Sequence, residues 1–215
     1  MALHFKPREY AGRMKRLTSE LKRRKLDGIL LFAQESMYWL TGYDTFGFCF
    51  FQSMIVSSKG DVTLLTRAPD LRQAQHTSNV EDIRIWKDHG KAKPENDLYE
   101  TLKDLGYAGK TIGIEAKTVG LNAFYGKAID KKLRGFAKTK DASSLVDQLR
   151  VVKSKAELEY IRYAGELSDD ALDAAIRKTK AGAFEGDILA AMHSVIFKKG
   201  GDYAGNEFII GSGKD

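Results

Sequence analysis

The chain's entire imidazole supply is His4, His76, His89 and His193, and no one of them has a second ligand at metal-binding spacing. His193 falls near the apolar side of a helical stretch and reads as a packed or surface histidine; His89 sits in a polar turn and reads as solvent-exposed. Asp169, Asp170 and Asp173 cluster, and on a helix Asp169 and Asp173 share a face. Two carboxylates suit a hard cation, but no third ligand is near, so the cluster reads as a solvated face. Gly211-Ser212-Gly213-Lys214 follows an apolar run, as a phosphate loop would. That loop needs a glycine where Phe208 stands and a serine or threonine where Asp215 stands, so the reading fails. Ser36, Ser53 and Ser143 lack an adjacent base pattern for nucleophilic catalysis. What remains is Gly42-Tyr43-Asp44-Thr45-Phe46-Gly47. Aromatics and a carboxylate held between two glycines on a loop are suited to lining a pocket, so Tyr43, Asp44 and Phe46 are the candidate substrate contacts. The competing reading has Tyr43 and Phe46 packing beneath a turn that Asp44 caps.

The elements that would carry this loop follow from periodicity. Pro7 opens a helix on which Tyr10, Met14, Leu17 and Leu21 recur, ending at Asp27-Gly28. Ile29–Phe32 is a continuous apolar run, the mark of a strand covered on both faces. A short helix over Glu35–Leu40 stops at Gly42. A long aromatic strand is expected over Phe46–Val56, turned at Lys59-Gly60 and returning over Val62–Thr66 as a hairpin. Cys49 falls inside that strand and is expected to be a buried apolar residue. Pro69 opens a helix through Gln75, Ile83 and Ile85 mark a strand, and Pro94 precedes a helix with Leu98, Leu102 and Leu105. Thr111–Glu115 is a strand, Leu121–Leu133 a helix, and Phe136–Thr139 a final strand. The order predicts an α/β domain, a mixed sheet in three α/β/α layers, over residues 1–148.

The texture changes over 149–215. Ser154-Lys155-Ala156-Glu157 fits a capping box opening a long helix, with Leu158, Ile161, Gly165, Ser168, Leu172 and Ala175 as one stripe. Ala181-Gly182 ends it. Glu185–Phe197 is a second amphipathic helix with Ile188, Leu189, Met192, Val195 and Ile196 apolar, stopped at Gly200-Gly201. A strand is expected to start at Phe208-Ile209-Ile210.

Apolar residues at 43% are ordinary for a chain with a real core, and three prolines leave little room for extended linkers. The net charge of +6 is dispersed, with one tight basic run, Lys22–Lys25, and no interleaved aromatics, so nucleic acid is not the expected partner. One cysteine excludes an internal disulfide and a cysteine-based zinc site. Neither a secretory leader nor a run of about 20 apolar residues is visible, so no membrane is expected and a cytoplasmic setting is.

Leu149-Arg150-Val151-Val152-Lys153-Ser154-Lys155-Ala156-Glu157-Leu158 resembles the entry to the pita-bread domain of the creatinase, prolidase and aminopeptidase P family. Ala181-Gly182, Glu185, Gly200-Gly201 and Phe208–Gly213 resemble that domain's second helix, glycine pair and first strand. Tyr38-Trp39-Leu40-Thr41-Gly42-Tyr43 resembles a turn of the family's N-terminal domain. The run Gln34–Phe50 is similar to bacterial Xaa-Pro-peptidase-like proteins, a group that includes ectoine hydrolases. The resemblance implies a creatinase-like N-terminal domain (1–148) and the first helices and strand of a catalytic domain (149–215). It implies a hydrolase of amide or Xaa-Pro bonds using two divalent metals (Mn, Co or Zn), dimeric, with the N-terminal domain capping the partner's substrate pocket. The metal ligands are expected beyond Phe208–Gly211, so this chain alone is expected to hold no metal and to be inactive. A non-catalytic interaction module on the same fold is the alternative.

Overall fold

The computed structural model describes residues 3–211. The chain forms two compact units, Met1–Val152 and Lys153–Asp215.

The first unit is built on one six-stranded sheet, in the order β4-β3-β2-β1-β5-β6. The strands are β1 (Gly28–Leu31), β2 (Ser53–Ser57), β3 (Val62–Arg67), β4 (Asp82–Trp86), β5 (Thr111–Ile114) and β6 (Lys138–Asp141). β2 alone runs against the rest. Its hairpin with β3 sets Ser53 against Leu65, and β1 pairs with both β2 and β5 at the centre. β1 is buried along its whole length, as a continuous apolar run demands.

Helices cover both faces. α1 (Pro7–Arg23), α2 (Gln34–Thr41), α3 (Leu71–Thr77) and α6 (Leu145–Arg150) enclose one core with Ile29, Leu31, Met54, Val56 and Leu64. α4 (Pro94–Asp104) and α5 (Ala123–Leu133) enclose the other with Leu30, Phe32, Ile55, Leu65 and Ile112. Burying each such side chain contributes about 1.5–3 kcal/mol. The two cores alternate residue by residue along β1, which makes the unit three-layered.

Three local expectations are corrected. Phe46–Val56 is not one strand: Phe46–Cys49 is a 3-10 turn and β2 begins at Ser53. Cys49 is therefore exposed, not buried. α1 ends at Arg23, and Lys25 takes the left-handed φ of 56° rather than the glycine at 28. Gly28 instead starts β1, where a Cβ would stand 2.4 Å from the Tyr107 hydroxyl.

The second unit holds α7 (Lys155–Lys178) and α8 (Glu185–Lys198). The capping box is present: Ser154 accepts the Glu157 N–H at 3.2 Å, and the Glu157 carboxylate accepts the Ser154 N–H at 2.7 Å. Ser154→Ala is expected to remove about 1 kcal/mol of stability from this unit, read as an earlier loss of helical circular dichroism on heating. α7 meets α8 through Leu167, Ala171 and Ala174, against Ile188 and Ile196. The stripe read from the sequence lies on another face, where Ile161 and Leu172 are 49% and 57% exposed. Phe208–Ile210 forms no strand, since no neighbouring strand is present among the described residues to pair with it. Among the described residues the second unit is thus a helix pair with no strand.

Candidate functional site

Gly42 ends α2 with φ 83° and donates its N–H to the Tyr38 carbonyl at 2.7 Å. That left-handed step turns the chain across the carboxyl end of β1. Tyr43 then points inward and is fully buried. Its hydroxyl donates to Gln52 Oε1 at 2.9 Å, Gln52 Nε2 donates to Gln34 Oε1 at 3.0 Å, and Gln34 Nε2 donates to the Tyr43 carbonyl at 2.7 Å. The three bonds close a ring that joins the start of α2, the loop after it and the approach to β2. Burial pushes the Tyr43 phenol up to about 12, so it stays a neutral donor.

Asp44 is exposed, and its backbone N–H donates to Thr77 Oγ1 at 3.0 Å. Thr45 is buried; its hydroxyl oxygen accepts the Gly47 N–H at 2.8 Å and its proton lies between Asp70 Oδ1 and Gln73 Oε1. Asp70 also receives Arg67 Nε at 3.1 Å. A Cβ on Gly47 would come within 2.3 Å of the Asp70 carboxylate, so only glycine fits this turn. Thr45 and Asp70 thus fold the segment that aromatic content alone would make a strand.

The turn lifts Phe46 into solvent at 78% exposure, with Phe48 and Phe50 beside it at 42% and 45%. The Phe46 and Phe48 rings meet at 5.9 Å. The Arg67 guanidinium sits 3.3 Å above the Phe50 ring and reaches Asp88 at 3.2 Å. Across the same end of the sheet, the segment after β5 exposes Val119 and Phe124. Open α/β sheets gather ligands outside the carboxyl ends of their strands, and this rim carries a rigidly seated aromatic cluster there.

Asp44 and Phe46 therefore lie at the surface, while Tyr43 lies beneath them as a support. Arg67, Asp70, Phe48 and Phe50 complete the arrangement; sequence reasoning missed them because Arg67 and Asp70 come from the end of β3 and the turn after it, and the phenylalanines were assigned to a strand.

The other candidates do not converge. His4 Nδ1 lies 2.6 Å from the Tyr38 hydroxyl, His76 is exposed on α3, and His89 Nδ1 accepts the Lys91 N–H. His193 packs on Phe197 and Phe208 in the second unit. Asp169 and Asp173 are exposed, and Asp170 pairs with Lys199. Ser143 is held by Asp141 at 2.5 Å, and Ser36 donates to Glu115 at 2.5 Å. Ser212–Asp215, the end of the glycine-lysine motif, lie outside the described residues. Among the described residues no three His, Cys, Asp or Glu side chains come together as a metal site. The described residues therefore do not fit a metal centre.

Residues 13–152 match the model of the Creatinase/Prolidase N-terminal domain. The chain is 31% identical to ectoine hydrolase from Halomonas elongata over 176 residues, 78% of this chain and 43% of that protein. Its fold is similar to a prolidase from Thermococcus sibiricus (TM-score 0.73, 18% identity, 89% of this chain and 50% of that one). It is also similar to an aminopeptidase P from Streptococcus thermophilus (TM-score 0.52, 19% identity), where it covers 66% of this chain and 98% of that one. The chain spans about half the length of the curated relatives it matches. With the family model spanning the sheet and all but the start of the first helix, the chain belongs to the creatinase/prolidase N-terminal domain family.

Proposed function

We propose that this chain is the N-terminal portion of a metal-dependent hydrolase of amide or Xaa-Pro bonds, in which residues 1–148 assist dimerisation and cap the substrate pocket. The observation that carries this reading is the rim cluster: Phe46 stands out from a turn fastened by Thr45, Asp70 and Gln73. Fixing an exposed aromatic on a rigid turn lowers the conformational cost of closing it over a ligand. Asp44, one residue from the ring-bearing turn, adds a carboxylate that can hold an ammonium group. Tyr43 serves the pocket by holding the turn in place.

In the same reading, 149–215 opens the catalytic domain, and its missing sheet would cover Ile161, Leu172 and Ile176, which are exposed here. The two divalent ions of the full enzyme (Mn, Co or Zn) and the hydrolytic residues would come from outside this chain, whose own role is to bind and orient. Among the described residues no helix is long and apolar enough to cross a membrane, and the full protein is proposed to work in the cytoplasm.

The test uses the full-length protein with Asp44→Ala and Phe46→Ala, separately and together. Losing one well-packed aromatic contact is expected to cut kcat/KM about tenfold or more. Unchanged specificity and turnover in the double variant would remove the pocket role. A full-length protein that hydrolyses no amide or Xaa-Pro substrate with any of the three metals would favour the non-catalytic interaction module instead.

A further inference from the structure

Along the chain the lysines are dispersed, but the sheet gathers several of them at one pole. β1, β5 and β6 are adjacent and parallel, so their amino ends lie side by side. Lys25 precedes β1, Lys110 precedes β5 and Lys138 opens β6. α1 leads into β1 and α5 into β6 from opposite faces of the sheet, bringing Lys22, Lys131 and Lys132 in their last turns. All of these lysines are exposed.

Ordinary structural causes account for part of the cluster. A helix dipole favours cations in a last turn, which covers Lys22, Lys131 and Lys132. A lysine on an edge strand keeps that edge from pairing, which covers Lys138. Neither covers Lys110, nor Lys25, which holds a left-handed φ of 56° where glycine is the low-cost residue. The arginines at this pole are engaged within the chain: Arg23 and Arg24 pair with Glu20, and Arg134 pairs with Asp130. None of the lysines shares in these pairs. Asp27 and Asp61 also lie here, and the lysines outnumber them.

The pole therefore offers flexible point charges rather than planar guanidinium forks. Tyr107 is buried and Phe136 packs on Tyr99, so among the described residues no exposed ring stands beside the lysines for a base to stack on. The cations come from all three layers and form a broad patch, not the stripe that a nucleic-acid strand would follow. Such a patch suits a plane of anionic headgroups.

We propose that the amino end of this sheet docks electrostatically on an anionic lipid bilayer. Bound in this way, the first unit turns its aromatic rim, at the opposite end of β1, away from the membrane. The inference stands apart from the hydrolase reading.

The full chain is sedimented with vesicles of phosphatidylcholine and phosphatidylglycerol at about 2:1, where each lysine near the surface adds to binding. It is expected to pellet with them at about 0.05 M salt, to leave them at about 0.5 M, and to ignore pure phosphatidylcholine. Lys25→Glu/Lys110→Glu/Lys138→Glu is expected to weaken partitioning at least about tenfold. Lys87→Glu/Lys91→Glu/Lys93→Glu makes the same charge change in the exposed loop after β4 and is expected to weaken it less than about twofold. Circular dichroism checks folding. Should the first triple variant unfold, Lys22→Gln/Lys131→Gln leaves the sheet untouched and is expected to weaken partitioning at least about fivefold. A wild-type chain that stays in the supernatant overturns the inference, and so does equal weakening by the two triple variants. A chain that leaves the vesicles for duplex DNA supplied at equal charge overturns it in favour of nucleic acid.

Discussion

Glu115→Ala is expected to lower the stability of the first unit by about 2–4 kcal/mol, measured by urea unfolding at neutral pH. Glu115 is 2% exposed. Its Oε2 accepts the N–H groups of Phe32 and Ala33 at 2.9 and 2.8 Å, and its Oε1 accepts the Ser36 hydroxyl at 2.5 Å. The two backbone donors lie where β1 passes into α2, a helix whose N-cap residue is Ala33 and has no capping side chain. Glu115 therefore replaces the missing cap from across the sheet. Alanine would leave three buried polar groups without this partner.

Glu115→Gln separates shape from charge. Its amide oxygen can accept both N–H groups while its nitrogen donates to Ser36, so the expected loss is below about 1 kcal/mol. Burial, acting against the Ser36, Ala33 and Phe32 hydrogen bonds, raises the Glu115 carboxyl above its usual range. A raised acid pKa means that the folded state holds the proton more tightly than the unfolded one. Its contribution is therefore fully present below the ordinary glutamate value and declines as pH rises toward and through the folded value. The advantage of wild type over Glu115→Gln is expected to shrink across that window. An advantage that grows with pH would overturn this account.

Arg13→Ala is expected to cost about 3 kcal/mol in the same assay. Arg13 is 1% exposed on α1, yet it is charged. Its guanidinium donates to the Trp39 carbonyl at 2.8 Å, in the last turn of α2, where carbonyls lack helical partners. It lies 4.1 Å above the Phe5 ring and 3.4 Å from Glu9. One cation thus terminates α2, stacks on an aromatic ring and pairs with a carboxylate. Lysine carries the charge but not the planar fork, so Arg13→Lys is expected to recover less than half of the loss. Full recovery by lysine would show that charge alone matters here.

Neither residue announced itself in the sequence. Glu115 follows an apolar strand and its three donors lie about 80 residues earlier. Arg13 falls on the buried face of α1 with Tyr10, Leu17 and Leu21, and its Trp39 partner lies on another helix. Local patterns were legible where the cause is local: the apolar run of β1, the β2–β3 hairpin, the glycine at the end of α2 and the Ser154 capping box. They failed where a distant partner decides. Phe46–Cys49 has strand composition, but Thr45 and Asp70, 25 residues apart, bend it into a turn. The final strand, expected over Phe136–Thr139, lies at Lys138–Asp141, where pairing with β5 sets its bounds. On α7 two apolar faces compete, and periodicity does not say which one α8 will take; it takes the alanine-lined face, which allows closer approach. The candidate loop was legible as a loop between glycines. The inward turn of Tyr43 was not, because it depends on Gln34 and Gln52 closing a ring around it.

β1 lies between a neighbour synthesised soon after it and another that emerges some 80 residues later. While the chain is still leaving the ribosome, the hairpin can shelter one flank of β1, but the opposite flank stays bare until β5 and Glu115 arrive. Synthesis that pauses before that point is expected to leave one side of β1 unpaired, and this stretch of translation is where exposure to aggregation is expected to be greatest.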